Sequence, residues 1–224
     1  MVDFYHGLIG DHQHFLATQA LLEREDCAAH VRDIPFLDHD YNDVVDVYGA
    51  RSQSPTVRVG NSIGCCLAVS AAGPHDQVIL TAPPFDYGRG IVPLSKDRVK
   101  EWIAGLYVSH GEVLNEAAIL NNASQQVLGL LASRQQIRRL RNYKAAAIAF
   151  WRMPKLQDLR DRLTIVIGDQ DFTTPVAAFC EHVALVLPNA HVVVWEDCGH
   201  AVPLDAPSRL AALALQRESI LPVH

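Results

Sequence analysis

Val57-Arg58-Val59-Gly60-Asn61-Ser62-Ile63-Gly64-Cys65-Cys66-Leu67-Ala68-Val69 is the stretch whose reading decides the fold. A short β-branched run enters a Gly-x-Ser-x-Gly turn, and an unbroken apolar helical pattern leaves it. The stretch predicts a strand, a sharp turn and a buried helix, with a serine at the apex. At such an apex the hydroxyl projects away from the backbone on both sides. Glycines at 60 and 64 suit a turn where a Cβ would strike the neighbouring strand or helix. The pentapeptide also arises by chance, so its context gives it weight.

Outward from the turn, strands and helices alternate. Upstream, residues 2–5 read as a strand, 12–25 as a helix, 28–34 as a strand closed by Pro35, and 42–51 as a helix. Downstream, Gly73-Pro74 stops the helix after the turn, and 77–81 is a strand ended by Ala82-Pro83-Pro84. From 85 to 153 no strand is predicted; 97–110, 112–121, 124–132 and 134–151 all carry helical spacing. Alternation then resumes, with strands at 163–167 and 191–195 and helices at 174–187 and 207–216. The expected class is α/β: a mostly parallel, doubly covered sheet of about six strands with right-handed crossovers. Residues 1–84 and 154–224 would form its core, and 85–153 an inserted helical cap.

Composition narrows the function classes. The 224 residues are 49% hydrophobic and 20% charged, with a net charge of −6 and a pI near 6.0, which argues against nucleic acid or an anionic membrane as partner. No apolar run approaches the roughly 20 residues of a membrane span. Residues 1–6 show neither a basic nor an apolar leader region, so a cytoplasmic location is expected. Cys27, Cys65, Cys66, Cys180 and Cys198 are odd in number and lack CxxC spacing, and read as reduced, mostly packed thiols. His12, His14 and His39 belong to no set with metal-ligand spacing, so neither metal nor cofactor is expected.

In a parallel sheet the chemistry collects at the carboxyl ends of strands. Three residues stand there: Ser62 after 56–60, Asp171 after 163–167 and His200 after 191–195. A serine hydroxyl needs an adjacent base to become a nucleophile. A histidine with a pKa near 6.5 can be that base, and a carboxylate can fix its tautomer and stabilise the cation that forms.

Four places make the chain resemble the α/β-hydrolase fold superfamily over nearly its whole length. They are His6-Gly7, Gly60-Asn61-Ser62-Ile63-Gly64, Gly168-Asp169-Gln170-Asp171 with Pro175, and Gly199-His200 with Pro203 and Pro207. The chain order Ser, Asp, His is also that superfamily's. The resemblance implies a triad of Ser62, Asp171 and His200, with Asp171 chosen over Asp169 by its distance from the strand-end glycine. It implies an oxyanion hole from the backbone N–H groups of Leu8 and Ile63, with His6 shaping that loop. It also implies that 85–153 is a lid, with Trp102, Tyr107, Phe150 and Trp151 as its core or as pocket lining. Arg134, Arg138, Arg139 and Arg141 read as a solvated face, or more sharply as a phosphopantetheine or CoA contact. Two leading strands of the superfamily are missing or lost by truncation, which leaves 28–34 as a sheet edge unless something covers it, and a homodimer is one expectation. Cys65 replaces a glycine common after the elbow.

The expected activity is a serine hydrolase cleaving a small-molecule carboxylic ester or acyl thioester, carrier- or CoA-linked substrates included. A carbon–carbon bond hydrolase of ring-cleavage products, or a menaquinone-pathway synthase-like lyase, would use the same residues. A non-catalytic binding or biosynthetic accessory role is the third reading.

Overall fold

The β-branched run at 57–61 becomes an inner strand of a six-stranded parallel sheet. A computed structural model describes residues 1–8, 10–36, 38–48, 56–85, 124–129, 134–171 and 173–218. The strands are β1 (Val2–Tyr5), β2 (Ala29–Arg32), β3 (Val57–Asn61), β4 (Gln77–Thr81), β5 (Leu163–Gly168) and β6 (His191–Trp195). Their order is β2-β1-β3-β4-β5-β6, and every pairing is parallel. β2 is therefore an edge strand of the described sheet.

The helices are α1 (Leu16–Arg24), α2 (Tyr41–Tyr48), α3 (Gly64–Ala71), α4 (124–129), α5 (Arg134–Phe150), α6 (Pro154–Leu159), α7 (Val176–Val186), α8 (Val202–Asp205) and α9 (Pro207–Glu218). They cover both faces of the sheet. Val2, Phe4, Val57, Val59 and Ile79 face a core that includes Phe15, Leu22, Val202 and Leu210. Tyr5, Val78, Leu80, Leu163, Ile165 and Ile167 face a second core with Leu67, Phe150, Leu156 and Phe179. Strands covered on both sides are apolar at nearly every position, which is why 163–168 reads as one continuous run.

Arg58 breaks that pattern. It is fully buried on the second face, where strand alternation places it beside Asp3 and Tyr5. Its Nε donates to Asp76 Oδ2 (2.5 Å), and its Nη1 donates to Tyr5 OH (2.7 Å) and Asp3 Oδ2 (3.3 Å). Arg32 Nη2 reaches the same Asp3 oxygen at 3.3 Å. Asp76 also accepts from Thr56 N–H (3.0 Å) and Gly73 N–H (2.7 Å), while Arg162 Nη1 donates to the carbonyls of Gly73 and Asp76. One network of two carboxylates and three guanidiniums thus ties together the starts of β1, β3, β4 and β5.

Where element boundaries depart from expectation, a competing bond explains it. β2 stops at Arg32 rather than at 34, because Ile34 N–H donates to the His6 ring (2.9 Å). α7 begins at Val176 rather than at 174, because a residue before proline is steered away from helical angles. α6 and α8 were not anticipated; each is too short to show helical periodicity. The helices expected at 97–110 and 112–121 lie outside the described residues. The helices expected at 124–132 and 134–151 appear as α4 and α5. α5 is latched at two points: Tyr143 OH donates to the carbonyls of Phe36 (3.2 Å) and His39 (3.0 Å), and just beyond its end Trp151 Nε1 donates to Pro84 O (2.8 Å).

Removing one partner of a buried ion pair strands the others in a low dielectric. Arg58→Ala is expected to lower the unfolding free energy by about 3–5 kcal/mol. Urea denaturation measures this, and a loss below about 1 kcal/mol would assign the network no structural role.

Candidate active site

Ser62 sits between β3 and α3 with φ of 54°, in the left-handed region that costs a non-glycine residue energy. Its N–H donates to Thr81 O (2.9 Å), which holds the turn against the end of β4. A Cβ on Gly60 would meet the Cys65 backbone at 2.6 Å, and one on Gly64 would meet His6 O at 2.5 Å. Both glycines are therefore imposed by backbone packing. Cys65 fits where the superfamily often has glycine because its Sγ bonds Gly60 O at 3.3 Å. Asn61, buried behind the turn, donates from Nδ2 to Thr81 Oγ1 (3.0 Å) and His200 O (3.2 Å), which joins the elbow to the loop after β6.

The loop after β1 lies directly against this elbow, since a Cβ on Gly7 would come within 3.0 Å of Ser62 Cβ. His6 sets its orientation. His6 Nδ1 donates to Gly7 O (2.8 Å), and Nε2 accepts from Ile34 N–H (2.9 Å), so the ring is neutral with its proton on Nδ1. Burial pushes its pKa below the ordinary value, which keeps that form. Gly10 N–H also binds Gly7 O, at 3.1 Å. In a trans peptide the C=O and the next N–H point in opposite directions. Pinning Gly7 O therefore turns Leu8 N–H away from His6. Among the described residues neither Leu8 N–H nor Ile63 N–H has an acceptor.

Asp171 and His200 are brought together from the loops after β5 and β6. Asp171 Oδ2 lies 2.9 Å from His200 Nδ1. The Asp171 carboxylate is fully buried, and the His200 side chain is 16% exposed. Asp169 points elsewhere, accepting from Cys198 N–H at 3.3 Å. Burial opposes ionisation of Asp171, but the neighbouring His200 and hydrogen bonds from His200 and Thr173 outweigh it and hold the carboxyl below its usual range. Burial likewise opposes the His200 cation, while Asp171 outweighs it and raises the histidine. Among the described residues no hydrogen bond joins Ser62 Oγ to His200 Nε2; such bonds are often long before substrate binds.

A sequence profile described as the Alpha/beta hydrolase family matches residues 6–213. The chain belongs to that family. Solved structures agree on its fold. A serine hydrolase from the polyaromatic-hydrocarbon-degrading bacterium Cycloclasticus zankles is 17% identical with a TM-score of 0.64, the match covering 95% of this chain and 87% of that one. A bromoperoxidase from Bacillus anthracis is 13% identical, with a TM-score of 0.62 over 97% of this chain and 91% of that one. An alpha/beta hydrolase from the sediment metagenome of the Mar Chica lagoon, Morocco, is 18% identical, with a TM-score of 0.59 over 96% and 88%. No curated protein matches the sequence.

Around this alpha/beta hydrolase centre stand groups to which the sequence assigned no role there. Thr173 touches both Asp171 and His200. Asp205 of α8 accepts from Gly199 N–H (2.8 Å) and fixes the residue before the histidine. His14 is buried against Gly10, and burial, aided by His6 and His200, lowers its pKa to about 3. Only the interior position of His14 on its helical turn could have marked it; nothing in the sequence marks Thr173. Phe150 and Trp151 lie in a buried aromatic cluster with Phe85, Phe179 and His182. Trp102 and Tyr107 lie outside the described residues. All five cysteines are free thiols, and burial pushes Cys66 and Cys198 up to about 12 and Cys65 well above its ordinary value. Those three remain protonated at neutral pH and are not competing nucleophiles. Among the described residues no group of histidine, cysteine or carboxylate side chains could hold a metal ion, and no helix is long and apolar enough to cross a membrane.

His14 gives a stability prediction. Its folded pKa of about 3 lies below the unfolded value near 6.5. Between these values the unfolded chain binds the extra proton, so stability is fully present above pH 6.5 and falls as pH drops toward 3. One such group gives a slope of about 1.4 kcal/mol per pH unit. The lowered pKa of His6 adds to this loss, whereas the raised pKa of His200 contributes stability at low pH that is lost on going alkaline. Urea titrations between pH 4 and 6 are expected to show His14→Phe flattening the slope by one proton's worth; an unchanged slope would place the uptake elsewhere.

Proposed function

We propose that this alpha/beta hydrolase family member is a serine hydrolase that cleaves a small-molecule carboxylic ester or acyl thioester through an acyl-enzyme. The observation that carries the reading is the 2.9 Å bond between Asp171 Oδ2 and His200 Nδ1. It leaves Nε2 as the basic nitrogen, at the same end of the sheet as the Ser62 elbow.

In this reading Ser62 Oγ attacks the acyl carbonyl as its proton passes to His200 Nε2. The backbone N–H groups of Leu8 and Ile63 receive the oxyanion, and each such donor is worth about 3 kcal/mol in a transition state. His200 returns the proton to the departing alkoxide or thiolate. A water molecule, deprotonated by the same nitrogen, then releases the acid and restores Ser62. Asp171 stays ionised throughout and stabilises the imidazolium. The chemistry calls on no metal or cofactor. Residues 85–153 serve as a cap, with Trp102, Tyr107, Phe150 and Trp151 on its pocket side. In support, Trp151 is tied to the exit of β4 next to the elbow.

Incubation with a fluorophosphonate is expected to label Ser62, and aryl esters or acyl thioesters of some chain length to turn over with a burst. Ser62→Ala should lose at least about a thousandfold in kcat. If wild type and Ser62→Ala match on every ester and thioester across chain lengths, the hydrolase reading fails. A labelled serine without a burst would favour a lyase.

His200 must be neutral to act as base, so kcat/KM should fall as pH drops through its pKa. Because the pKa is raised, the acid limb is expected to have its midpoint above the ordinary histidine value of about 6.5. Asp171→Asn removes the largest raising influence and should move that limb to lower pH while cutting kcat by about 10⁴-fold. An acid limb unmoved in Asp171→Asn would assign it to another group.

A further inference from the structure

Thr173 stands two residues after Asp171, between β5 and α7, and its hydroxyl reaches both members of the acid–base pair. Oγ1 lies 2.6 Å from Asp171 Oδ1 and 3.0 Å from His200 Nδ1. The Thr173 N–H donates to the same Oδ1 at 2.9 Å. Asp171 Oδ2 meanwhile meets His200 Nδ1 at 2.9 Å.

Proton accounting fixes the roles. An ionised carboxylate only accepts, so the single hydroxyl proton of Thr173 goes to Asp171 Oδ1. The lone pairs of Oγ1 remain, and one of them faces His200 Nδ1. That nitrogen must therefore bring a proton, which it shares between Asp171 Oδ2 and Thr173 Oγ1. Thr174 Oγ1, 3.3 Å away, can donate to the remaining lone pair.

We propose that Thr173 is a positioning residue: its hydroxyl clamps the outer oxygen of Asp171 and presents a second acceptor to His200 Nδ1–H, which keeps Nε2 unprotonated toward Ser62. Two donors from one residue prevent the carboxylate from rotating about its last bond. The tautomer with its proton on Nε2 would set a bare Nδ1 against two oxygens, so it is disfavoured twice. When Nε2 takes a proton, Nδ1–H becomes a stronger donor and both of its acceptors gain. The role of His200 as base rests on the hydrolase reading; the clamp itself rests on the four distances.

The test compares Thr173→Val, which keeps the branched shape and removes the hydroxyl, with Thr173→Ser, which keeps the hydroxyl. Among the described residues the charged and titratable groups facing His200 are Asp171 beside it, Asp205 on α8 and His14 on the turn before α1; neither substitution alters them. The first readout is the ¹⁵N NMR titration of the His200 ring in the ligand-free protein. Thr173→Val is expected to lower the midpoint by about half a pH unit and to raise the Nε2–H tautomer. The second is ester kinetics, where Thr173→Val should lose about tenfold in kcat, the scale of one charge-assisted hydrogen bond, with KM nearly unchanged. Thr173→Ser should match wild type in both.

A Thr173→Val ring that titrates and resonates like wild type overturns the proposal, as does a Thr173→Ser protein impaired equally with Thr173→Val. The NMR readout needs no turnover. A chain without esterase activity whose His200 still shifts in Thr173→Val keeps the clamp and loses the hydrolase reading. A labelled, active chain with an unshifted ring keeps the hydrolase and loses the clamp.

Discussion

Backbone meets backbone where α3 begins: Gly64 packs against the carbonyls of Tyr5 and His6 with no room for a side chain. The candidate site depends on this contact. It forces the chain through a left-handed Ser62, at a cost of about 1–3 kcal/mol. It also brings the loop after β1 against that serine. The neutral His6 ring then turns one peptide so that the Leu8 N–H, like that of Ile63, has no acceptor among the described residues. The strained serine and the buried ring follow from a single close approach.

Strain at one end of the sheet needs rigid support from the other. The network around Arg58 lies at the amino ends of the strands, while the chemistry-bearing residues lie at the carboxyl ends. A buried guanidinium with two carboxylates is a poor route to stability compared with apolar packing. It does fix register, because Asp3, Arg58 and Asp76 can meet only when β1, β3 and β4 are aligned as they are. A slip of one residue would turn each of these charges into the opposite core. Register, more than stability, is what that desolvation secures for the sheet.

Much of the sheet and part of the site could be read in the sequence. Ser62 and Asp171 follow apolar runs that become strands buried on both faces, His200 follows an apolar run that becomes the edge strand β6, and parallel sheets gather function at those ends. The family profile and the strand order agree with the fold class read from that alternation. What escaped was relational. Arg58 looks like an ordinary polar position in a strand, because its partners lie 55 and 18 residues away in the chain. Asn61 occupies the unspecified place in Gly-x-Ser-x-Gly, yet it spans 139 residues to hold the His200 backbone. The end of β2 could not be placed, since a distant histidine rather than a turn residue captures Ile34 N–H.

The latch on α5 bears on the order in which the molecule assembles and loosens. Tyr143 reaches back 107 and 104 residues to Phe36 and His39, and Trp151 reaches back 67 to Pro84. Closing loops of that length costs entropy that local helix formation does not repay, so these contacts gain only against a surface that already exists. The sheet must therefore present the loop after β2 and the exit of β4 before α5 can seat. By the same reasoning α5 can lift as a unit, giving up the bonds of Tyr143 and Trp151 and an aromatic face while the parallel ladder stays intact. In hydrogen-exchange terms its amides would belong to a less protected foldon than those of β3 and β4.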